Sequence, residues 1–507
     1  MTQAPSRPAT TAARPRIEAR SIDYVPLDER HGRLGDQATV WFASSACLLT
    51  LATGAIGITL GLGLLWTIVA LTLGTVVASV LVAAHASQGP HLGLPQMVQS
   101  RPQFGRYGAL FIWATAVLVY WGYAVSGFDI LGDTLANLLG GSSAFWLIAM
   151  AVLSVVLAIV GHDWLHVAQR LISVVLVVFL AIFTVGIVVG GHLPTAGGQF
   201  TTASFSFVPF LTVFAAALGY QLSWAFYVSD YSRYMPAETS HRKIISVTFV
   251  GLVAGVLWME VVGAIAAAIF PKLGVVAGVQ EASDLVFQGL GAIMLLLAAA
   301  GTVGLMGMSL YGGSLTLISA LDSLRPIVST VRLRVATIGL LFVSATGLAL
   351  ALPADFLATT FVTVLAVLGY LMGPWTAINL TDYFLVRRGR YSVREIFNPA
   401  GIYGRWNWRG CLAYAIAFAA MVPFMHLEFF EGPMAKAIDG VDLAIFVGLP
   451  VAAGLYALFC RSLDVAGEAR IVAAADADLD GPPAAAAPRP VAPGTTAGEP
   501  PLQVAGA

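Results

Sequence analysis

"FASSACLLTLATGAIG", residues Phe42–Gly57, is the stretch on which the fold turns. It lies inside an apolar run long enough to cross a bilayer. Yet it places Ser44 and Ser45 together at mid-run and Gly54 and Gly57 soon after, which suits an interrupted helix with its break at Ser45, Ala46 and Cys47. A second stretch has the same character. "AAALGYQLSWAF" (Ala215–Phe226) carries Gly219, then Gln221 and Ser223, at the sixth apolar run. Polar or interrupted helices at matching places in two halves of a membrane chain point to an inverted repeat with a binding site at the breaks. The plainer reading is small-residue packing, which is common in membrane helices.

Composition agrees with a membrane chain. Of 507 residues, 58% are hydrophobic and 10% charged, against about 25% charged in soluble domains. A spanning helix needs about 20 apolar residues. Twelve runs qualify, near 38–60, 63–84, 107–135, 143–160, 164–190, 205–228, 243–270, 284–320, 333–351, 355–377, 409–427 and 441–460. The run from 284 to 320 is too long for a simple crossing and is expected to tilt or extend beyond the membrane. With alternating spans and the N-terminus in the cytoplasm, 24 of the 26 Lys and Arg fall on the cytoplasmic side, leaving Lys272 and Lys436 outside. That asymmetry is the positive-inside pattern, and it predicts cytoplasmic termini.

The expected organisation is therefore a polar tail over 1–36, a twelve-helix domain over 37–461, and a disordered Ala-, Pro-, Gly- and Asp-rich tail over 462–507. Within the domain, repeat one covers about 38–190, repeat two about 205–377, and two extra helices 409–460. No cleavable signal is expected, the first span serving for insertion. Cys47, Cys411 and Cys460 have neither paired nor metal-ligand spacing and read as small hydrophobes.

Four further stretches carry a family resemblance: "GPHLGLPQMVQSRPQFG" (Gly89–Gly105), "SWAFYVSDYSRYMP" (Ser223–Pro236), "NLTDYFLVRRGRYSVREIFNP" (Asn379–Pro399) and "GIYGRWNWRG" (Gly401–Gly410). Over about residues 35–460 the chain resembles nucleobase–cation symporter family 1, in its purine–cytosine permease branch. The resemblance implies an all-α, LeuT-like fold of five plus five helices in inverted repeat with two C-terminal helices. It also implies symport of a planar heterocycle by alternating access, driven by sodium or protons, at the plasma membrane.

By that resemblance Trp121 matches a stacking tryptophan on the third helix, where counting along the helix sets it near mid-membrane. Val125 replaces an amide that reads the ring edge in relatives, and Asp129, a further turn along, is a candidate for the coupling ion or proton beside Glu260. On the sixth helix Gln221 falls where bacterial relatives carry an aromatic residue. Trp224 is the expected second platform, with Tyr220, Gln221 and Ser223 around the ring. Ser309 stands where relatives carry an asparagine. Sodium-coupled members have two adjacent hydroxyl residues where this chain reads Val303–Gly304, with Thr302 just before. Proton coupling is therefore expected rather than sodium.

Glu260, in "VLWMEVVGAI", is the candidate proton carrier. A charged carboxylate at depth costs about 2.5–3.5 kcal/mol on insertion scales, so such residues mark pathways; the plain alternative is a neutral carboxyl bonded to a neighbouring helix. Asp230 and Arg233 are the candidate inner gate, as a local pair or as a dock for the loop. The implied partners are a small heterocycle and the bilayer, with no nucleic acid, obligate protein partner, metal or cofactor. Cytosine, adenine, guanine and hypoxanthine lead as cargo, with allantoin, hydantoin, thiamine and pyridoxine rings as alternatives. No pore filter, P-loop or catalytic triad argues for a channel or an enzyme. His162, Asp163 and His166 in "GHDWLHVAQR" read as a solvated helix end.

Overall fold

The computed structural model describes residues 21–160, 162–195, 199–353, 360–477 and 479–480, without the side chains of 162–170 and 173. His162, Asp163 and His166, read above as a solvated helix end, thus lie outside the described side chains, as does the far tail beyond 480.

Repeat one contains α1 (Leu34–Ser45), α2 (Leu48–Thr59), α3 (Leu64–Ala86), the short α4 (Gln88–Leu92), α5 (Arg101–Leu139), α6 (Ser143–Val160) and α7 (His162–Val189). Repeat two contains α8 (Phe207–Leu222), α9 (Val228–Ser232), α10 (His241–Ile269), α11 (Val275–Asp284), α12 (Leu290–Leu324), α13 (Val331–Ala349) and α14 (Phe361–Thr381). After α15 (Val393–Phe397) come α16 (Trp408–Met421), the two-residue strands β1 (His426–Leu427) and β2 (Phe430–Glu431), α17 (Pro433–Ala437), α18 (Ala444–Phe459) and α19 (Val465–Ala475). Among the described residues nine helices are long and apolar enough to span a bilayer, and the bent pair α1–α2 makes a tenth. The shorter apolar stretches Val174–Val189 and Trp408–Phe424 occupy the fifth and eleventh expected segments.

The halves embrace each other reciprocally. Helix α3 of repeat one packs on α8 of repeat two, α10 of repeat two packs on α1 and α2, and α5 packs on α12. Glycine makes this possible. Along α10, a Cβ at Gly251, Gly255 or Gly263 would lie 2.6, 2.5 or 2.1 Å from the carbonyl oxygens of Ala38, Phe42 and Leu51. From the facing side, a Cβ at Gly54 would lie 2.0 Å from the Glu260 carbonyl oxygen. Hydrocarbon gives helices no hydrophobic reason to associate, so backbone approach of this kind supplies the packing.

Three features depart from the sequence reading. The long run expected from 284 begins at Leu290 instead, because Asp284 Oδ1 accepts from the backbone N–H groups of Gly289 (3.1 Å) and Gly291 (2.8 Å) and fixes a turn there. The preceding α11 is a separate short helix. Most consequential, the tail expected to be disordered from 462 is folded over Val465–Ala475. Asp464 caps that helix through Gly467 N–H at 2.8 Å, and Glu468 receives Arg387 Nε at 2.8 Å. Asp476 accepts from the Ser392 hydroxyl (2.8 Å) and Val393 N–H (2.7 Å). Composition reports only that the tail lacks a core of its own; it says nothing of the polar surface on which the tail docks.

That surface is itself a buried network. Asp382 and Arg387 pair at 2.7 Å. The Asp382 carboxylate also accepts from Gln103 (2.7 Å), Tyr391 (2.7 Å) and Tyr456 (3.0 Å), uniting α5, α14, α18 and the intervening loop. Each carboxylate oxygen of Asp382 thereby receives two donors, as a buried charge requires.

Two outcomes follow. Gly255→Val should destabilise by about 1–3 kcal/mol or more through overpacking, whereas Gly339→Ala, with nothing within 4 Å, should be neutral or mildly stabilising; thermal unfolding in detergent compares them. Truncation after Leu463 should lower the unfolding midpoint, which an undocked tail would leave unchanged.

Candidate functional site

The break in the first span falls at Ala46 (φ −87°, ψ 71°) and Cys47 (φ −134°, ψ 169°), and the flanking helices bend by 58°. Breaking a helix inside an apolar bundle frees backbone groups that lipid cannot satisfy. Here side chains satisfy them. Leu48 N–H donates to Thr302 Oγ1 on α12 at 2.9 Å, and the Thr50 hydroxyl donates to the Ser45 carbonyl. Ser45 Oγ donates back to the Trp41 carbonyl at 2.6 Å.

The sixth span breaks in register with the first. Helix α8 gives way at Ser223 to a tight turn through Phe226, Tyr227 is non-helical (φ −140°, ψ 7°), and α9 resumes at Val228. Ser223 Oγ donates to the Tyr220 carbonyl at 2.6 Å, and Tyr120 on α5 donates to the freed Phe226 carbonyl at 2.8 Å.

The two breaks meet at Tyr220. Its hydroxyl lies 2.7 Å from Thr50 Oγ1 and 3.3 Å from Cys47 Sγ. Tyr123 on α5 stands edge-on to its ring at 5.9 Å and reaches its carbonyl at 3.5 Å. All five residues, Cys47, Thr50, Tyr123, Tyr220 and Ser223, are buried. Hydroxyls donate or accept as required, and phenol rings offer flat apolar area. Both properties suit a planar heterocycle with ring nitrogens and exocyclic groups.

Below this cluster lies an aromatic floor. Trp224 packs edge-on against Trp41 (5.7 Å) and at a tilt against Tyr227 (5.8 Å), and Trp41 meets Tyr231 at 5.6 Å. Trp224 Nε1 is buried with no partner among the described residues. Beneath the floor a polar layer joins the ends of the helices. Asp230 accepts from Gln96 N–H at 2.8 Å; Ser229 and Ser232 donate to the His85 and Ala86 carbonyls at 3.0 and 2.7 Å. Arg233 donates to the Ser21 carbonyl (2.8 Å) and the Tyr311 hydroxyl (3.2 Å), tying the N-terminal segment to α12. The run "SWAFYVSDYSRYMP" is polar because it forms this layer.

Of the residues expected at the site, Ser45, Ala46, Cys47, Tyr220, Ser223 and Trp224 are brought together. Trp121 is not. Its indole N–H donates to Ser344 on α13 at 3.1 Å, while Tyr120 and Gly127 face α12, against Gly312, Gly313 and Met306. Adjacent helical residues diverge by about 100°, so the depth expected for Trp121 holds along the axis but not around it. Val125 is buried. Gln221 turns to α3, where Nε2 donates to Ser79 Oγ at 2.7 Å; its Oε1 has no partner among the described residues. Ser309 is buried on α12 beside Met308, whose sulfur takes the Ser44 hydroxyl at 2.9 Å. Asp129 is half-buried, one turn before Asp133. Glu260 is fully buried between α2 and α3. Its Oε2 accepts from Thr75 Oγ1 at 2.9 Å, and its Oε1 has no partner among the described residues.

Sequence reasoning missed Thr50 and Tyr123. Thr50 follows Cys47 by three residues in the opening stretch, a same-face spacing. Tyr123 belongs with Tyr120, Ala124 and Gly127 to a stripe at helical period, which marks the face turned to the bundle more reliably than the single large residue Trp121. If this cluster holds the cargo, Tyr220→Phe and Thr50→Ala should each weaken its binding about tenfold, the worth of one buried hydrogen bond. Trp121→Phe should change it less than twofold. Competition against labelled uptake ranks the three, and the reverse order would relocate the site.

Residues 24–448 match the family described as "Permease for cytosine/purines, uracil, thiamine, allantoin". The YxlA protein of Bacillus subtilis (strain 168), which carries a purine-cytosine permease name, is 32% identical over 87% of this chain and 95% of its own. The purine-cytosine permease fcyB of Emericella nidulans is 24% identical over 88% of each chain. Among solved structures, the nucleobase-cation-symport-1 family transporter Mhp1, closed with bromovinylhydantoin bound, aligns with a TM-score of 0.71 at 20% identity, covering 91% of this chain and 98% of its own. Its inward-facing form aligns at 0.66 and 21%. That likeness establishes the LeuT-like fold. The chain is a multi-pass membrane transporter, not an enzyme, and belongs to the family of permeases for cytosine/purines, uracil, thiamine and allantoin.

Proposed function

We propose that this permease imports a nucleobase, cytosine or a purine, by alternating access, and that a proton is the coupling ion. The observation that carries the cargo reading is the Tyr220 hydroxyl bridging both helix breaks, which sets convertible hydroxyls and aromatic faces around one buried point. The purine-cytosine names of relatives that align along most of their length support the same class.

The coupling reading rests on two residues. Thr302, the one hydroxyl near the expected sodium position on α12, already accepts from Leu48 N–H and donates to the Ala298 carbonyl at 2.7 Å. Val303 and Gly304 beside it offer no side-chain oxygen. Glu260 is a buried carboxyl with one oxygen unpartnered among the described residues, and its backbone lies against Gly54 of the broken span. A change in the tilt of α2 would therefore alter the surroundings of Glu260 directly. The distribution of Lys and Arg supports cytoplasmic termini, with the plasma membrane as the site of action.

The test is uptake of labelled cytosine into proteoliposomes under a proton gradient, a sodium gradient, or neither. Accumulation with protons alone is expected. Accumulation with sodium alone would overturn the coupling reading. Absence of uptake under all three would reject cytosine and send the test to purines, then to allantoin, hydantoin and vitamin rings. Glu260→Gln should abolish uphill accumulation while retaining exchange of internal for external substrate; continued accumulation would exclude it as the proton carrier.

A further inference from the structure

A concavity lies away from the central site, on the outer surface of the bundle where α5, α14 and α16 meet. It has a volume of about 430 Å³ and is lined by Phe104, Phe111, Leu371, Trp406, Tyr414 and Phe418, with Gly108 and Ala415 between them. We propose that this groove binds one acyl chain of an anionic phospholipid, with its headgroup held at the adjoining turn Gly404–Arg409.

The groove is fixed by backbone rather than by chance packing. Gly105 has φ +79° and bends the start of α5 against the turn. Asn407 N–H donates to the Phe104 carbonyl (2.9 Å), Tyr107 N–H to the Arg405 carbonyl (2.8 Å) and Arg106 N–H to the Gly404 carbonyl (3.0 Å). Tyr414 offers no free hydroxyl, since it donates to the Leu371 carbonyl at 2.8 Å. Cys411, which also lines the groove, turns its thiol to the Phe104 carbonyl at 3.5 Å, so the lining is mostly apolar, which suits hydrocarbon. A volume of this size falls in the range of about 300–1,000 Å³ typical of ligand pockets. It opens outward, as the 57% exposure of Phe111 and 66% exposure of Trp406 require.

The polar end specifies the headgroup. The turn reads Gly-Arg-Trp-Asn-Trp-Arg, with two cations and no carboxylate. Trp406 and Trp408 are exposed, as residues at the headgroup level are. Arg405 is exposed, and its side chain makes no hydrogen bond or ion pair among the described residues. Arg409 lies over the Trp408 ring at 5.2 Å and bonds the Phe459 carbonyl and Ser462, so of the turn's two cations Arg405 is the one without a partner among the described residues. Each guanidinium near an anionic headgroup contributes about fivefold in affinity. Only the choice of leaflet depends on the orientation proposed above; the binding does not.

Native mass spectrometry of the purified full chain, titrated with phosphatidylglycerol or phosphatidylcholine, tests this. The expected result is saturable binding of phosphatidylglycerol at one site, several-fold tighter than phosphatidylcholine. Arg405→Gln should lower the phosphatidylglycerol affinity about fivefold and leave phosphatidylcholine unchanged. Ala415→Trp, which fills the groove from its exposed wall, should abolish both, and the smaller Ala415→Leu should weaken both in proportion if the tryptophan is not tolerated. Non-saturable adducts equal in all variants would mean annular lipid only and overturn the proposal. So would a dimer that dissociates with Ala415→Trp, since a second copy of the chain would then be the occupant.

Discussion

The break at Ala46–Cys47 is the constraint on which this structure depends. An unwound segment in an apolar bundle leaves N–H and C=O groups that cost several kcal/mol each unless a protein group meets them. The chain meets them from three directions: Thr302 from α12, Thr50 from the helix just beyond, and Ser45 by bonding back into its own turn. Of these, Thr50 also meets the Tyr220 hydroxyl and the Cys47 thiol, which gathers the three into one cluster. The polarity needed to tolerate the break is thus the polarity available to a cargo.

The rest of the bundle serves this arrangement. Glycines on α10 let it lie against the broken span at backbone distance, and the reciprocal contact of α3 with α8 supports the second break. Aromatic residues close the floor, and below them the serines of α9, Asp230 and Arg233 knit the helix ends together. At the same membrane face, the Asp382–Arg387 network joins α5, α14 and α18 to the loop and to the folded tail. A buried pair of this kind contributes little net stability by itself but is costly to leave half-made, so its value lies in fixing one relative arrangement of those helices.

Much of the architecture was legible in sequence because apolar length and Lys/Arg asymmetry are integrated over many residues. The two breaks were legible from Ser44–Ser45 with Gly54, and from Gly219 with Gln221 and Ser223. The rotation of side chains about their helices was not. One residue of uncertainty turns a side chain by about 100°, enough to send Trp121 to Ser344 and Gln221 to Ser79 while Tyr123 and Tyr220 face each other. Helix α11 escaped notice because it is too short for the spanning criterion, and α19 because its docking partners, Arg387 and Ser392, are remote in sequence.

The central claim is that the cargo sits where the two breaks meet. An experimental density map of the purified chain, saturated with the nucleobase it takes up, tests that claim most directly. Planar density in contact with Tyr220 and Tyr123, between Cys47 and Ser223, is the expected result. Density at Trp121 and Ser344, or anywhere outside the two breaks, would contradict it.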